Sequence, residues 1–362
     1  MESKATIYDV ARVAGVAAST VSRAFARPGR VSAETAQRVF AAAATVGYRS
    51  SAISGLTGMS GTRTRTRSLA LVVTDITNPF YSELIRGAHD AAGAAGYTIL
   101  LSHTQEDAQL ERDWTERELA SVDGVLLASS RMSDSAIRMI AKQKPMIVLN
   151  RRIPEVPCVI TDNPRGARRA VEHLAELGHD TITYVAGPET SWADGVRWQA
   201  LREAAYELEL RVRRVGPCNT PTVHAGFDVT PELLGHSPTA VIAYNDVLAI
   251  GVIKGLRRAR VSVPTDVSVV GFDNVILSEI VDPELTTVAA PLRAMGMTCA
   301  TNLIAVIGGA VPSRQPIVMP VTLVVRGSTG QRRRKSTSPA RGTTNVPGSA
   351  VTAATSTVDG SR

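Results

Sequence analysis

The chain has few cysteines and no long apolar run. Its three cysteines, Cys158, Cys218 and Cys299, are odd in number and far apart, which excludes a disulfide framework and zinc-ligand spacing. No stretch of about 20 apolar residues occurs, so no membrane-spanning helix is predicted. The first 15 residues lack the apolar core of a secretion signal. We therefore expect a cytoplasmic protein with no membrane partner.

Common cofactor signatures are also missing. Neither the GxxxxGK[ST] phosphate loop nor the GxGxxG dinucleotide loop occurs. The six histidines all lie between residues 89 and 236 and show no metal-ligand spacing. No pattern points to Ser-His-Asp chemistry. We therefore expect no enzyme activity, no cofactor and no metal.

The charge is unevenly distributed. Residues 1–67 contain ten Lys or Arg and three Asp or Glu, and residues 331–362 contain six and one. The formal net charge of the whole chain is +7, so the central region is acidic. A basic head is suited to a polyanion, whereas an acidic body is not.

The head is predicted to form three short helices. Thr6 can cap a first helix, 7–14, which Gly15 ends. A second helix covers 18–25, and Ser32 caps a third over about 33–45. The side chains expected to share one small core are Ile7, Val10, Ala11, Val21, Phe25, Val39 and Val46.

Two short helices joined through Gly15 fit a helix-turn-helix. Its second helix enters the major groove, so its leading residues must be small or polar, and Arg23 can contact guanine or phosphate. The residues of the head predicted to bind DNA are Thr6, Ala18, Ser19, Thr20, Ser22, Arg23, Arg30 and Arg49. The alternative is a helical docking domain whose basic residues are only solvated surface.

A linker and an alternating body follow the head. Residues 50–68 are rich in Ser, Gly, Thr and Arg, as is typical of a linker. Apolar runs at 69–73, 97–100, 124–127 and 146–149, and a second set at 181–186, 212–215, 240–244 and 267–272, alternate with helical segments. This pattern predicts two lobes of parallel sheet with a cleft between them. Closing strands are expected within 316–328. Residues 331–362 have too few large apolar groups to fold alone.

The head "TIYDVARVAGVAASTVSRAFARPGRVSAETAQRVFAAAATVGYR" resembles the DNA-binding head of the lac repressor (LacI) family. The segments "VVTDITNPFYSELIRGAHDAA", "AVIAYNDVLAIGVIKGL" and "VPTDVSVVGFDN" resemble its sensor domain. The resemblance implies an all-α helix-turn-helix head plus an α/β two-lobed sensor domain like the periplasmic binding proteins. It implies a head at 1–49, a hinge at 50–67 and a sensing and dimerisation domain at 68–328; composition predicts a disordered basic tail at 329–362. The implied function is a ligand-responsive regulator, most readily a repressor, that binds double-stranded operator DNA as a homodimer.

Two departures from the family pattern occur in the head. Ala17 stands where the family commonly has a capping Ser, which costs about 0.5–2 kcal/mol. Leu56 matches the family leucine that enters the minor groove and kinks DNA. Ser50 and Gly55 weaken the expected hinge helix around it.

The expected effector site lies beyond the carboxyl ends of the strands. The candidate contacts are Phe80, Asn150, Trp192, Arg197, Asn245 and Asp273, with Arg151 and Asp162 as weaker candidates. The resemblance makes Arg197 a ligand clamp, whereas Asp246 is expected to cap a helix. Ala290 replaces a glutamine that several relatives carry. An aromatic face with Arg, Asn and Asp best fits a carbohydrate, and a nucleobase is the alternative.

Two other classes of protein remain as alternatives: an enzyme and a small-molecule binding protein built on the same body. The missing signal sequence and the basic head argue against a transport protein. DNA binding discriminates between these readings directly.

Overall fold

A computed structural model describes residues 6–26, 31–46, 65–313 and 315–332 of the chain, with the side chains of 25, 26, 33 and 44 outside the described part. The head contains helices α1 (Ile7–Ala14), α2 (Ala18–Ala26) and α3 (Ala33–Thr45). These bounds confirm the predicted helices to within one residue. The backbone amide and Oγ1 of Thr6 both donate to Asp9 Oδ2, at 2.9 and 2.7 Å. Gly15 adopts a left-handed φ of 67° and ends α1, because a residue without Cβ tolerates that conformation.

The three helices enclose a small core of their own. The buried side chains are Val10, Ala14, Val21, Ala24, Val39, Ala42 and Ala43, with Ile7, Ala11, Val16, Val31 and Val46 packed against them. The expected core is therefore present, except that the Phe25 side chain lies outside the described residues. All these side chains are aliphatic, so the interior holds the helices together by close packing of small groups.

The body contains two six-stranded sheets, which confirms the predicted two-lobed α/β architecture. The N-terminal lobe contains β1 (Ser68–Val73), β2 (Thr98–His103), β3 (Gly124–Ala128), β4 (Met146–Leu149), β5 (Cys158–Thr161) and β11 (Ile317–Met319) in the order β11-β5-β4-β3-β1-β2. Its helices are α4 (Phe80–Ala94), α5 (Ala108–Glu118), α6 (Asp134–Ala141) and α13 (Leu292–Ile307). All its neighbouring strands are parallel.

The C-terminal lobe repeats this plan. Its strands are β6 (Thr181–Val185), β7 (Arg211–Val215), β8 (Ala240–Ala243), β9 (Ser268–Asp273), β10 (Thr286–Ala289) and β12 (Thr322–Val324), in the order β12-β10-β9-β8-β6-β7. Its helices are α7 (Asn163–Glu176), α8 (Trp192–Glu207), α9 (Val223–Asp228), α10 (Thr230–Gly235), α11 (Asp246–Arg258) and α12 (Leu277–Ile280). Only β12 runs antiparallel among these described strands.

Each predicted apolar run lies in a strand, whereas β5 and β10 were not predicted. These two strands have four residues each, too few to show a period. Strands β3 and β4 are buried along their whole length, as expected when helices cover both faces of a parallel sheet.

The chain passes between the lobes three times: from β5 to α7, from β10 to α13 and from β11 to β12. Two of these connections are hydrogen-bonded to each other, because the amide of Asp162 donates to the carbonyl of Met319 at 3.0 Å. The two lobes are therefore joined by three backbone connections at which they can rotate.

Helices α4 and α13 cross in close contact in the N-terminal lobe. A Cβ added at Gly87 would overlap the Arg293 carbonyl, and one added at Gly296 would overlap the Leu84 carbonyl. Glycine therefore permits an approach of the two backbones that any side chain would prevent.

The described part of the C-terminal segment is fixed to the C-terminal lobe. The Arg332 amide donates to the Leu177 carbonyl at 2.9 Å, and the Arg332 guanidinium pairs with Asp180 at 2.6 Å. The rest of the predicted tail, 333–362, lies outside the described residues, as does most of the predicted hinge. The predicted domain boundaries stay predictions. Within the described part of the chain, no helix combines the length and apolarity needed to cross a membrane.

Candidate functional site

A narrow cavity lies between the two lobes, with an empty volume of about 290 Å³ that includes space open to solvent. The residues that line it are Asn78, Phe80, Tyr81, Glu106, Ser129, Arg131, Asn150, Arg197, Pro221, Tyr244, Asn245 and Asp273. A ligand in it would contact both lobes, so its binding would depend on their separation.

Four of the lining residues have a positive φ although none is glycine: Glu106 (61°), Ser129 (53°), Asn150 (54°) and Asp273 (109°). Ser129 and Asn150 directly follow β3 and β4, and Asp273 is the last residue of β9. Such conformations cost about 1–3 kcal/mol each and cluster at functional sites. The strands therefore end in strained turns that face the cavity.

Arg197 is the central cation on the C-terminal side. It is buried, its Nε donates to Asn163 Oδ1 at 2.7 Å, and its Nη1 donates to the Tyr244 carbonyl. Its Nη2 lies 3.4 Å from Asp273 Oδ1. The guanidinium also stacks over the Phe272 ring, 4.2 Å from the ring centroid. The protein thus holds Arg197 in one orientation before any ligand binds.

Two buried carboxyl groups lie near Arg197. Burial raises the pKa of Asp273 to about 6, although Arg197 acts to lower it. Burial also raises the pKa of Asp246, and the charge of Asp273 adds to that effect. Asp246 accepts from the Thr287 hydroxyl at 2.5 Å and from the Val275 amide at 2.9 Å. Asp246 therefore ties α11 to β9 and β10.

Asn245, rather than Asp246, caps α11, so the predicted cap was wrong by one residue. Asn245 Oδ1 accepts from the Leu248 amide at 2.9 Å. Its Nδ2 is buried and donates to no acceptor in the structure. A buried amide without a partner costs about 1–3 kcal/mol, so Asn245 can donate to a ligand in the cavity.

The N-terminal side contributes an aromatic face and a polar network. Phe80 meets Tyr81 edge to face with their ring centroids 4.9 Å apart. The Tyr81 hydroxyl lies 2.7 Å from Thr74 Oγ1. Asn150 Nδ2 donates to Ser129 Oγ at 3.2 Å. This side of the cavity can therefore contact both the apolar face and the hydroxyl groups of a small ligand.

Five of the six predicted effector contacts meet at this cavity: Phe80, Asn150, Arg197, Asn245 and Asp273. The sixth, Trp192, starts α8 and packs against the core of the C-terminal lobe instead. Of the weaker candidates, Asp162 caps α7, and Arg151 binds Asp134 and two backbone carbonyls.

Sequence reasoning missed seven lining residues as effector contacts: Asn78, Tyr81, Glu106, Ser129, Arg131, Pro221 and Tyr244. Glu106, Ser129, Arg131 and Tyr244 each follow the end of a strand within three residues, so the rule that found Asn150 could have found them. Tyr81 lies one residue into α4, beside Phe80.

The second helix of the head presents a polar surface. Ser19, Ser22 and Arg23 are exposed, and Ala18 and Thr20 are partly exposed. Arg23 folds back on its own helix, with Nε 3.2 Å from the Ser19 carbonyl. The Ala17 carbonyl accepts from Thr20 and Val21, so the backbone alone forms the first turn. Arg30, Arg49 and Leu56 lie outside the described residues, and Thr6 serves as the cap of α1.

No group of three or more His, Cys, Asp or Glu side chains within the described ranges could hold a metal ion. The cavity therefore has the character of a binding site made of aromatic, amide and charged side chains.

Family models match both parts of the chain. Residues 6–51 match the model described as bacterial regulatory proteins, lacI family, and residues 171–329 match the periplasmic binding protein-like domain. The transcriptional regulator DegA of Bacillus subtilis is 35% identical over 336 residues, which cover 90% of this chain and 98% of DegA. The transcriptional repressor CytR of Escherichia coli is 34% identical over 342 residues, covering 91% and 97%.

Solved structures agree with these matches. The transcriptional regulator CelR in complex with cellobiose has a TM-score of 0.66 and 29% identity, covering 90% of this chain and all of that one. The lac repressor dimer bound to operator and the anti-inducer ONPF has a TM-score of 0.67 and 26% identity, covering 91% and 100%.

Proposed function

The chain belongs to the LacI family of bacterial regulatory proteins, and we propose that it is a repressor that binds a near-palindromic operator as a homodimer and responds to a small sugar-like effector. It is a DNA-binding transcriptional regulator and not an enzyme. The observation that carries the proposal is one chain that combines an exposed polar helix in a helix-turn-helix with a cavity between two lobes. Its site of action is the cytoplasm, where chromosomal DNA lies.

The head contacts DNA through α2. Exposed Ser19, Ser22 and Arg23 lie on the helix that enters the major groove in this motif. The guanidinium of Arg23 forms no ion pair with the described residues. On DNA it exchanges its bonds to Ser19 for contacts with guanine or phosphate. Arg30 and Arg49 add phosphate contacts, and Leu56 enters the minor groove; these three roles rest on the sequence.

The experiment is a selection of bound DNA fragments followed by gel-shift titration. Arg23→Ala should weaken operator binding by about 1–3 kcal/mol if Arg23 reads a base. Arg38→Ala is the matched control, because it removes one exposed cation from α3 of the same head. Equal operator affinity of the Arg23→Ala variant and the parent would refute this role.

The dimer is supported by an apolar groove on the C-terminal lobe. Ile250, Ile253, Leu277, Ile280 and Val281 line it together with the charged residues Lys254, Arg257 and Asp282, and Ile280 is 71% exposed. Contiguous apolar surface of this kind marks an interaction site, and a closed dimer uses the same patch on both copies. Asn245 lines the cavity and caps helix α11, which carries two of these side chains, so α11 links the effector site to the groove.

Sedimentation tests this surface. Ile280→Glu should convert the dimer to a monomer, because it places a charge within the apolar contact. Val311→Glu is the matched control, since Val311 is 93% exposed and lies outside the groove. A dimer that both variants leave intact would place the interface elsewhere.

The effector is proposed to act by changing the separation of the lobes. Arg197, Asn245 and Asp273 lie on one lobe, and Phe80 and Asn150 lie on the other. A ligand that contacts both lobes binds their closed arrangement more tightly, and that difference in affinity limits the shift in DNA binding. CelR binds cellobiose and a LacI-family regulator of Enterococcus faecium binds ribose. A thermal-shift screen for the effector therefore starts with sugars and continues with nucleobases. If a compound raises the melting temperature but leaves the affinity for the operator unchanged, the proposed role of the cavity as the effector site is refuted.

A further inference from the structure

Arg131 and Glu106 form a buried ion pair at the cavity that plays no part in the sensing scheme above. Arg131 Nε donates to Glu106 Oε2 at 2.5 Å, and the two side chains are 3% and 9% exposed. Glu106 Oε1 accepts from the Thr74 hydroxyl at 3.0 Å. Both carboxylate oxygens therefore have a donor, and the negative charge is matched by one guanidinium.

The backbone holds both members of this pair in place. Glu106 has a φ of 61°, and its amide donates to the Thr74 carbonyl at 3.1 Å. The Arg131 amide donates at 2.8 Å to Oε2 of Glu111, a buried residue of α5. Fixed backbone positions on both sides mean that the pair is preorganised rather than a chance contact of flexible side chains.

The C-terminal side of the cavity presents a second pair of the same kind, Arg197 and Asp273. Twelve residues line the cavity, and the structure describes all of them. Four of the twelve are Lys, Arg, Asp or Glu: Arg131, Glu106, Arg197 and Asp273. The lining thus contains two guanidinium groups and two carboxylates. At neutral pH its formal charge is zero, because the Asp273 pKa of about 6 leaves that group mainly ionised.

A charge-balanced cavity selects against charged ligands. A buried anion needs an unmatched cation, and here each guanidinium already has its carboxylate. An anion would also face the two carboxylates, which is costly where burial weakens screening by water. A hydroxyl group meets both partners, because it donates to a carboxylate and accepts from a guanidinium.

We propose that the Arg131–Glu106 pair is the charge filter of the effector site, which restricts the effector to an uncharged, hydroxyl-rich molecule and excludes phosphorylated or acidic analogues. The proposal rests on the proposed function of the cavity as the effector site. It assigns to Glu106 the role of neutralising Arg131, so that Arg131 offers hydrogen bonds without offering a free positive charge.

Glu106→Gln tests the filter, because it keeps the size of the side chain and the bond from Thr74 but leaves Arg131 unmatched. The probes are inorganic phosphate and D-ribose 5-phosphate, titrated by calorimetry into the full-length protein at neutral pH and constant ionic strength. We expect no binding of either probe to the parent. We expect the variant to bind both at least about tenfold more tightly than the parent, which corresponds to one matched charge in a desolvated site.

Two further variants separate the filter from a general effect of charge or fold. Asp134→Asn removes one carboxylate from an ion pair with Arg151 outside the cavity, in the same lobe, and should gain no anion binding. The double variant Glu106→Gln with Arg131→Gln restores neutrality and should lose the gain. Thermal melting of each variant shows that it is folded.

Three results would overturn the proposal: anion binding by the parent, no gain in a folded Glu106→Gln variant, or an equal gain in Asp134→Asn. If Glu106→Gln does not fold, titrations of the parent protein still test the proposal. Binding of ribose 5-phosphate at the cavity contradicts it, whereas binding of D-ribose without binding of ribose 5-phosphate supports it. The anion titration uses neither operator DNA nor the natural effector. Failure of the proposed function would instead appear as an absent operator or an absent response to sugars.

Discussion

Arg197→Met is expected to destabilise the protein by about 3–5 kcal/mol near neutral pH, because it leaves a buried carboxylate without its cation. Arg197 and Asp273 are 4% and 6% exposed, so water cannot replace the lost partner. The substitution also removes the donors to Asn163 Oδ1 and to the Tyr244 carbonyl. Methionine keeps much of the apolar contact with Phe272, so packing contributes little to the loss.

The size of the electrostatic part can be separated with a second substitution. Asp273→Asn removes the charge that Arg197→Met leaves unmatched, so the double variant should be more stable than Arg197→Met alone. Directly interacting pairs of this kind couple by about 0.5–3 kcal/mol. Loss of Arg197 also raises the pKa of Asp273 above its present value of about 6, since the remaining influence is burial. Protonation then relieves the variant, and its deficit should shrink as the pH falls toward 5.

Urea unfolding followed by circular dichroism measures these differences, with the parent, both single variants and the double variant at about pH 7.5 and about pH 5.5. The reasoning is refuted if the double variant is no more stable than Arg197→Met, or if the deficit of Arg197→Met is the same at both pH values. Either result would mean that Asp273 is not charged, or not dependent on Arg197, in the folded protein.

Two further predictions concern the stability of the lobes. Gly87→Ala should destabilise the protein by about 1–3 kcal/mol, because the new Cβ overlaps the Arg293 carbonyl in α13. The control Gly93→Ala in the same helix places its Cβ where no atom lies within 4 Å, and it should stabilise the protein by up to about 1 kcal/mol. If the urea midpoints of both variants move in the same direction, the tight crossing of α4 and α13 is contradicted. Burial lowers the pKa of His173 and of His179, so the folded state favours the neutral rings. Above the unfolded pKa of about 6.5 the two rings are neutral in both states and do not change the free energy of unfolding. As the pH falls below that value, the unfolded state takes up protons more readily and stability is lost. His179→Gln should reduce the loss between about pH 7.5 and about pH 5.5, and an unchanged pH dependence would show that His179 does not titrate in this range.

Much of the architecture could be predicted from the residues. Helices of the head follow from local signals that act within a few residues, such as Thr6 before α1 and Gly15 after it. The alternation of apolar runs with helical segments predicts two parallel sheets, because burial on both faces leaves continuous apolar strands. The two missed strands, β5 and β10, are four-residue segments, and each pairs on one side with a strand farther along the chain, β11 or β12.

The candidate site was partly predictable for a related reason. Ligands bind beyond the carboxyl ends of parallel strands, and this rule together with the family resemblance found Asn150, Asn245 and Asp273. It did not distinguish Asn245 from Asp246 as the cap of α11, because adjacent Asn and Asp are both good caps and only the backbone path decides between them. Trp192 begins α8 and packs against the core of the C-terminal lobe, so its contact with an effector stays a prediction. Each step of one residue along a helix turns the side chain by about 100°, so position in the sequence alone does not fix which side chain of the first turn faces the cavity.

By itself, then, the sequence determined the three helices of the head, most strands of the body, the two lobes and the polar surface of α2, since these follow from periodicity, capping and charge over short stretches. Only the tertiary structure decided which side chains share the cavity. Arg131 and Glu106 are 25 residues apart, and Arg197 and Asp273 are 76 apart. Glu106 and Arg131 meet because β2 and β3 end at the same edge of one sheet, whereas Arg197 reaches Asp273 at the end of β9 from within helix α8. In both cases the fold, rather than any single segment of the chain, brings the two charges together.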